Sequence, residues 1–429
     1  MKTTLDTTED VAALRARHIM PLPAPMYSKP LQIVKGRLQY VFDEKGRKYL
    51  DAFAGVATVS IGHSHPHFVK KLTEQIGEYF HTPALYLHPS LGLYAQRLLA
   101  KVRAANPLLD VCFFTNSGSE ANELAALIAK NHTASHEFVA LRHSYHGRTL
   151  MAMALTGQSS WRHSTPYGQS VSFAEANYVY RGKRAKDCVA DLESVIKSST
   201  SGRIAAFYAE PINGVGGVIT PEAEYFPGAY EIVKRHGGLF IADEVQTGVG
   251  RTGEKFLGIE HWGVKPDIVT MAKGLGNGYP IGCVITTQEI AASMKGKLHY
   301  NTFGGSPAQM AAAGAVLDVI EKEDLAGNSK TVGSYLISRL NKVAAKSPWI
   351  GEVRGMGLMI GVELVKDKKT QEPASEAAAR MLDLTKDAGV LIGKGGMSGN
   401  VLRIKPPLCI TKADADTIAD SIEEGLKAL

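Results

Sequence analysis

Four cysteines in 429 residues (Cys112, Cys188, Cys283 and Cys409) are too few and too scattered for a disulfide framework or a paired-cysteine metal site. No apolar run approaches the roughly 20 residues that a membrane span needs. Asp6, Glu9 and Asp10 stand where a secretory signal would carry its apolar core, so no such signal is expected. Aromatic residues are sparse at 7%, and none interleaves the basic run Arg181 to Lys186, which includes Lys183 and Arg184. Without stacking platforms that run does not make a nucleic-acid patch and reads as a solvated loop. The excess of 48 Lys and Arg over 42 Asp and Glu is a mild +6, compatible with anionic small-molecule substrates. Three of the cysteines lie in apolar stretches, which predicts buried thiols and a reducing compartment. The expectation is a cytoplasmic protein that binds neither nucleic acid nor membrane.

What the chain does contain is 45% hydrophobic residues, 43 glycines and a length that exceeds one typical compact domain. Residues 31–51 alternate apolar and polar residues and break at Lys45-Gly46, a strand–turn–strand pattern. From about residue 90 short apolar runs alternate with helical periodicity: VCFFT (111–115), EANELAALIAK (120–130), FVALR (138–142), AAFYAE (205–210), GLFIADEV (238–245), DIVTMAK (267–273) and GCVITT (282–287). Buried strands with crossover helices give this rhythm, so the middle of the chain predicts an α/β domain with a mainly parallel sheet. Residues 308–345 read as helical, 352–364 as a strand hairpin, VLIGK (390–394) and VLRIKPPL (401–408) as strands, and Ala413 onward as a helix. The two ends share an α+β style. A large domain over 60–320 and a smaller one built from 1–59 and 321–429 are expected.

Three motifs end predicted strands, where ligands sit in such sheets. Thr115-Asn116-Ser117-Gly118-Ser119-Glu120 follows a strand and opens a helix, with Ser117 and Glu120 at capping-box spacing. Free N–H groups, the dipole, Gly118 and the Ser117 and Ser119 hydroxyls would cradle a phosphate; an ordinary capped helix is the plain alternative. In Ala242-Asp243-Glu244-Val245-Gln246, Asp243 ends an apolar strand, where a carboxylate needs a strong donor. A protonated pyridine nitrogen is such a donor, and an N-cap aspartate is the plain alternative. In Met271-Ala272-Lys273-Gly274, desolvation would lower the lysine pKa and suit Lys273 to Schiff-base chemistry. Tyr145 follows another strand and suits stacking on a ring. Asn301-Thr302-Phe303-Gly304-Gly305 offers the Thr302 hydroxyl beside glycines. Glu210 ends AAFYA with a second carboxylate. Arg403 sets a planar two-donor fork in an apolar strand, matching a substrate carboxylate or a structural ion pair.

With NSGSEANELA (116–125), AEPINGVGG (209–217), IADEVQTGVGRTG (241–253), VTMAKGLGNGYPIG (269–282) and NTFGG (301–305), the chain resembles the class III (omega) aminotransferases of fold type I over nearly its whole length. LDAFAGVATVSIGHSHP (50–66) and LCIT (408–411) are most similar to the mitochondrial-type alanine–glyoxylate and 3-aminoisobutyrate–pyruvate aminotransferases. The resemblance implies pyridoxal 5'-phosphate held as a Schiff base on Lys273. It implies Asp243 on the pyridine nitrogen, Gln246 on the ring hydroxyl, Tyr145 on the ring face, and Ser117, Gly118 and Ser119 at the phosphate. Thr302 would reach the phosphate of a partner subunit, implying a homodimer or a dimer of dimers. Arg403 would bind the α-carboxylate, with Glu210 masking it for substrates lacking that group. Arg148, in His146-Gly147-Arg148, matches a position that binds a distal carboxylate in GABA-type relatives, whereas the alanine–glyoxylate group often lacks an arginine there. The implied reaction moves an amino group from alanine, β-alanine or 3-aminoisobutyrate to pyruvate or glyoxylate by a ping-pong route. A GABA-type aminotransferase using 2-oxoglutarate, a decarboxylase, racemase or aminomutase on the same scaffold, and a non-catalytic binding protein are the alternatives.

Overall fold

The computed structural model describes residues 8–22, 26–163 and 168–429, so residues 1–7 of the expected small domain, Asp6 included, lie outside the described residues. Seven strands build the central sheet: β1 (Val111–Thr115), β2 (Glu137–Leu141), β3 (Ser170–Ala174), β4 (Ala206–Ala209), β5 (Leu239–Asp243), β6 (Ile268–Met271) and β7 (Gly282–Thr286). Their order across the sheet is β1-β7-β6-β5-β4-β2-β3. The β2–β3, β2–β4, β4–β5 and β5–β6 pairs are parallel, and β7 runs antiparallel to both β1 and β6. Every residue of β4, β5, β6 and β7 is buried. Side chains alternate between two apolar layers: Phe207 and Phe240 enter one core cluster, Tyr208 and Ile241 the other. Burial of both faces is why these strands read as unbroken apolar runs. β3, SVSFA, escaped the sequence because it is a short edge strand with one exposed and three half-buried residues.

The antiparallel pattern at 31–51 resolves into three strands, Ile33–Arg37, Tyr40–Asp43 and Lys48–Asp51. The additional turn at Leu38-Gln39 lacks glycine, asparagine or proline; Leu38 sits at φ 50° and exchanges backbone hydrogen bonds with His63. VLIGK is not one strand. Val390–Leu391 pairs in parallel with Lys48–Asp51, and Gly393–Gly395 pairs with Val401–Ile404 in a second sheet, beside the hairpin Ile350–Met356/Met359–Leu364. The first and last parts of the chain therefore share a sheet. Helices Leu325–Lys346 and Lys412–Lys427 complete this part.

The basic run is largely solvent-exposed at Lys183, Arg184 and Lys186, as expected, and only Arg181 turns inward. Arg181 pairs with the buried Glu363, Lys183 with Glu175 at 3.5 Å and Arg184 with Glu222 at 2.5 Å. Among the described residues no helix is long and apolar enough to cross a membrane, and no cluster of His, Cys, Asp or Glu could hold a metal. The four cysteines are free, Cys188 and Cys283 buried and Cys112 and Cys409 half-buried.

Candidate active site

The carboxyl ends of β1, β2, β4, β5 and β6 lie on one edge of the sheet because these strands run the same way. The antiparallel β7 brings its amino end there, with Gly282 opposite Thr115. A cavity of about 270 Å³ opens at this edge, lined by Ser117–Ser119, Tyr145, Glu210, Asp243, Gln246 and Lys273 among others. Seven of the residues singled out from the sequence thus share one cavity with Gly118; Arg403, Arg148 and Thr302 are not in its lining.

Lys273 stands two residues past β6 in the left-handed region, φ 46°, which costs a non-glycine residue about 1–3 kcal/mol. Its neighbours hold it there: Ser60 Oγ donates to the Gly274 carbonyl at 2.8 Å, and Asn277 bonds the Ile61 amide and the Gly62 carbonyl, both at 3.0 Å. The side chain is half-buried and lines the cavity. Among the described residues no group hydrogen-bonds its Nζ. Burial lowers the ammonium pKa to about 8; Asp243 and Glu210 oppose the shift and Arg403 reinforces it. An amine in this range is available in its neutral, nucleophilic form near physiological pH.

Asp243, 3% exposed, is surrounded by donors. Asn122 Nδ2 reaches Oδ2 at 2.8 Å, His146 Nδ1 reaches the same oxygen at 2.7 Å, and the Val245 amide reaches Oδ1 at 3.1 Å. Asn122 is itself fixed by Thr270 Oγ1 at 2.7 Å and the His146 carbonyl at 2.7 Å. His146 and Asn122 were not singled out from the sequence. His146 stood in the quoted Tyr-His-Gly string, but nothing local says that it turns inward to β5. Oδ1 accepts only one weak bond and can take another from a ligand in the cavity.

At the opposite end, the helix Gly118–Thr133 presents its first amides to the cavity. Ser117 Oγ accepts from the Glu120 amide at 3.2 Å, yet Glu120 reaches back to the Asn116 amide at 3.1 Å rather than closing the box on Ser117. The helix start is thus tied one residue upstream and the Ser117 amide stays outside this bond. A Cβ on Gly118 would come within 3.0 Å of Val245, so this turn admits only glycine without movement. Ser119 Oγ accepts the Arg148 amide at 3.0 Å and keeps its proton to donate.

Gln246 lies between the cavity and a fully buried lysine that sequence reasoning passed over. Lys405 Nζ donates to Gln246 Oε1 at 2.7 Å and to the Gly214 carbonyl at 3.3 Å. The only signal for it was a lysine between apolar residues in LRIKPPL. Glu210 and Arg403 are not paired in the free chain. Glu210 accepts from the Tyr145 amide at 2.9 Å and the Gly214 amide at 2.8 Å, because two free backbone donors lie closer than the guanidinium. Burial raises its pKa. Arg403, 7% exposed, donates from Nε to the Lys394 carbonyl at 2.9 Å and from Nη1 to the Gly214 carbonyl at 3.4 Å, and stacks over Phe53. Among the described residues no carboxylate lies at ion-pair distance, and burial lowers its pKa to about 10, opposed by Glu210.

Tyr145 lines the cavity with its ring edge-on to Trp161 at 5.0 Å between centroids. The Arg148 side chain is exposed and outside the lining, so only a substrate reaching past Gly147 could meet it. Thr302 is exposed on a loop fixed by Asn301, whose Oδ1 accepts the Gly304 amide at 2.8 Å and whose Nδ2 donates to Glu120 at 2.9 Å. An amine without a partner, a carboxylate with spare acceptor capacity and a glycine-lined helix N-terminus fit the three ends of pyridoxal phosphate: aldehyde, ring nitrogen and phosphate.

A model of the class-III aminotransferase family matches residues 24–426. A protein of Arabidopsis thaliana named alanine–glyoxylate aminotransferase 2 homolog 2, mitochondrial, is 46% identical over 422 residues, covering 98% of this chain and 87% of that protein. A Bacillus anthracis aminotransferase superposes with a TM-score of 0.93 at 32% identity over 100% of both chains. An amine transaminase from an uncultivated Pseudomonas species, solved with PLP bound, gives 0.89 at 32% identity over 96% of this chain and 98% of that one. The cytoplasmic expectation is corrected by the Arabidopsis relative, which is mitochondrial by name. Free thiols ask only for a reducing interior, and they do not separate cytosol from matrix.

Proposed function

We propose, for a chain that belongs to the class-III aminotransferases, amino transfer from alanine or a small ω-amino acid such as β-alanine or 3-aminoisobutyrate to pyruvate or glyoxylate in two half-reactions. The fold is that of the type I pyridoxal-phosphate enzymes, and pyridoxal 5'-phosphate is the cofactor. The observation that carries the residue assignment is the half-buried Lys273 amine, without a hydrogen-bond partner among the described residues, in one cavity with Asp243 and the Ser117–Ser119 helix start.

When bound, the cofactor supplies the electron sink and carries the amino group between substrates. Lys273 anchors it and, once released, moves a proton at the substrate Cα through its Nζ. Asp243, oriented by His146 and Asn122, keeps a proton on the ring nitrogen through Oδ1. Gly118 and Ser119 donate to the phosphate from the helix start, and Ser117 orders that turn. Gln246 donates to the ring hydroxyl and Tyr145 closes one ring face against water. Arg403 receives the substrate carboxylate, since among the described residues its guanidinium has no carboxylate at ion-pair distance. Glu210, already held by two amides, would leave them to mask Arg403 for donors without that group. Thr302 completes the phosphate site of a second copy in a homodimer, a role its exposure in the single chain supports. We divide the chain into 60–320 and a smaller unit from both ends, supported by the strand pairing of Lys48–Asp51 with Val390–Leu391.

The second reading, a GABA-type enzyme using 2-oxoglutarate, needs Arg148 to bind a distal carboxylate, and its exposed side chain outside the cavity favours the smaller donors. The test is a panel of donors and acceptors read as single half-reactions. Conversion of the cofactor by alanine or β-alanine, and its return by pyruvate or glyoxylate, is expected. Turnover with GABA and 2-oxoglutarate alone would overturn the substrate assignment, and keto-acid release beyond one equivalent per active site without an acceptor would indicate another reaction. Arg148→Ala is expected to leave kcat/KM for β-alanine unchanged.

A further inference from the structure

Lys405 is fully buried, has no carboxylate at ion-pair distance among the described residues, and hydrogen-bonds Gln246, which lines the cavity. Its backbone is anchored by the bond from its amide to the Ala52 carbonyl, 2.8 Å. Its Nζ serves two acceptors, Gln246 Oε1 at 2.7 Å and the Gly214 carbonyl at 3.3 Å. Gly214 has a second relation to the same glutamine. A Cβ there would stand 2.5 Å from the amide carbon, nitrogen and oxygen of Gln246, so the amide lies flat on the Gly214 backbone. The Gly214 peptide is fixed in turn by Glu210, which accepts its N–H at 2.8 Å, and by Arg403, which donates to its carbonyl at 3.4 Å. The glutamine amide is therefore confined in plane by Gly214 and in direction by Lys405.

We propose that Lys405 is a positioning residue that locks the Gln246 amide with Oε1 turned inward, so that Nε2–H is the edge presented to the cofactor ring oxygen. A glutamine alone can present either edge, and only the N–H edge stabilises an anionic ring oxygen. An amine next to Oε1 removes the choice: an ammonium has donors only, and a neutral amine placed between two carbonyls donates to both. This holds for either protonation state, which matters because burial, then Arg403 and Lys273, push the Lys405 amine well down, with Glu210 opposing and Arg251 adding to the shift. A buried lysine is an expensive way to fill space. Its cost is understandable where the donor directs a contact to the reacting ring. The inference rests on the reading that Gln246 faces the ring oxygen.

The test uses holoenzyme carrying Lys405→Met, a near-isosteric change, with Gln246→Ala and the double variant. The readouts are the pH midpoint of the cofactor's visible absorbance and the Kd of pyridoxal phosphate for the apoenzyme. A ring oxygen that has lost its donor holds a shared proton more tightly, so the midpoint is expected to rise by about one pH unit, the equivalent of one modest hydrogen bond. Kd is expected to weaken about tenfold, and Gln246→Ala should add little in the Lys405→Met background. Lys405→Gln, which keeps an N–H donor, should restore part of both, and it carries the test if Lys405→Met does not fold. A shift with Gln246→Ala but none with either Lys405 variant overturns the inference. No shift with Gln246→Ala overturns the underlying reading instead. A change in Tm alone, with midpoint and Kd intact, would make Lys405 merely structural.

Discussion

Two clusters of buried charge lie on either side of the 213–219 turn, and they are built on opposite rules. Around Glu363, 1% exposed, the charges satisfy one another. Arg354 Nη1 donates to Glu363 and to Glu352, both at 2.6 Å, while Arg181 and the Tyr178 hydroxyl close on the same carboxylate. Burial alone would raise the Glu363 carboxyl, but Arg354, Tyr178 and Arg181 outweigh it and hold it below its usual range; Arg354 and Arg181 are raised. In and beside the cavity the cations go the other way: Lys273 is lowered to about 8 and Arg403 to about 10, because burial meets no ion pair among the described residues. Satisfied charge fixes structure, and unsatisfied charge waits for a ligand. The clusters also touch, since Arg354 Nε donates to the carbonyl of Gly217, 3.0 Å away, in the turn that presents Gly214.

The largest effect that would break this contrast is expected at Glu363. Removing one member of a buried charge network strands the others, and Glu363→Ala should cost about 3–5 kcal/mol of stability. Denaturant unfolding of the holoenzyme measures it. The carboxyl is held below its usual range, so its stabilising share is present above the unfolded pKa and disappears as pH falls through the folded one. The variant should therefore lose the most at neutral pH and the least in acid. A loss of kcat with stability intact would mean that the network acts on the site rather than on the fold.

The two clusters also differ in how far the sequence disclosed them. Lys273, Asp243 and Ser117–Ser119 end apolar strands, and a parallel sheet brings all such ends to one edge, so local pattern was enough. The network is non-local: Arg181 and Glu363 are far apart in the chain, and nothing in the basic run says that its first residue is folded inward. Lys405 and His146 escaped for the same reason, since their partners Gln246 and Asp243 come from distant parts of the chain. The backbone amides of Tyr145 and Gly214 that hold Glu210 in the free enzyme were not legible either, since no side-chain pattern reveals them. Leu38-Gln39 makes a turn without turn residues because His63 pairs with Leu38 across the chain.

An intermediate effect is expected in the cofactor-free enzyme. Lys273 has a folded pKa of about 8 against an ordinary 10.5. Below pH 8 both folded and unfolded states carry the proton, and the folded state bears the full penalty of burying it. Between 8 and 10.5 the unfolded state binds more protons, so stability rises with pH, and above 10.5 the penalty is gone. Lys273→Met should therefore stabilise the apoenzyme by about 3 kcal/mol at pH 7, with the difference closing by about pH 10.5. Thermal unfolding of both apoproteins across that range checks it. A flat difference would place Lys273 among the satisfied charges, and the contrast would lose its main support.

The smallest effect, and the one that sharpens the contrast most, concerns Arg403. Its two recorded hydrogen bonds go to backbone carbonyls, and neither neutralises it. A substrate carboxylate would supply what Glu363 supplies to Arg354. Charge-assisted hydrogen bonds of this kind contribute about 1.5–3 kcal/mol, so Arg403→Ala should raise KM for pyruvate about 10- to 100-fold. An amine without a carboxylate, such as isopropylamine, should keep its kcat/KM in the donor half-reaction, because it never made the contact. Arg403→Lys should recover only part of the pyruvate affinity, since an ammonium lacks the planar fork that meets both carboxylate oxygens. Equal losses for pyruvate and isopropylamine would instead assign Arg403 to holding the Gly214 turn, and through it Gln246, and would move it from the waiting cluster to the satisfied one.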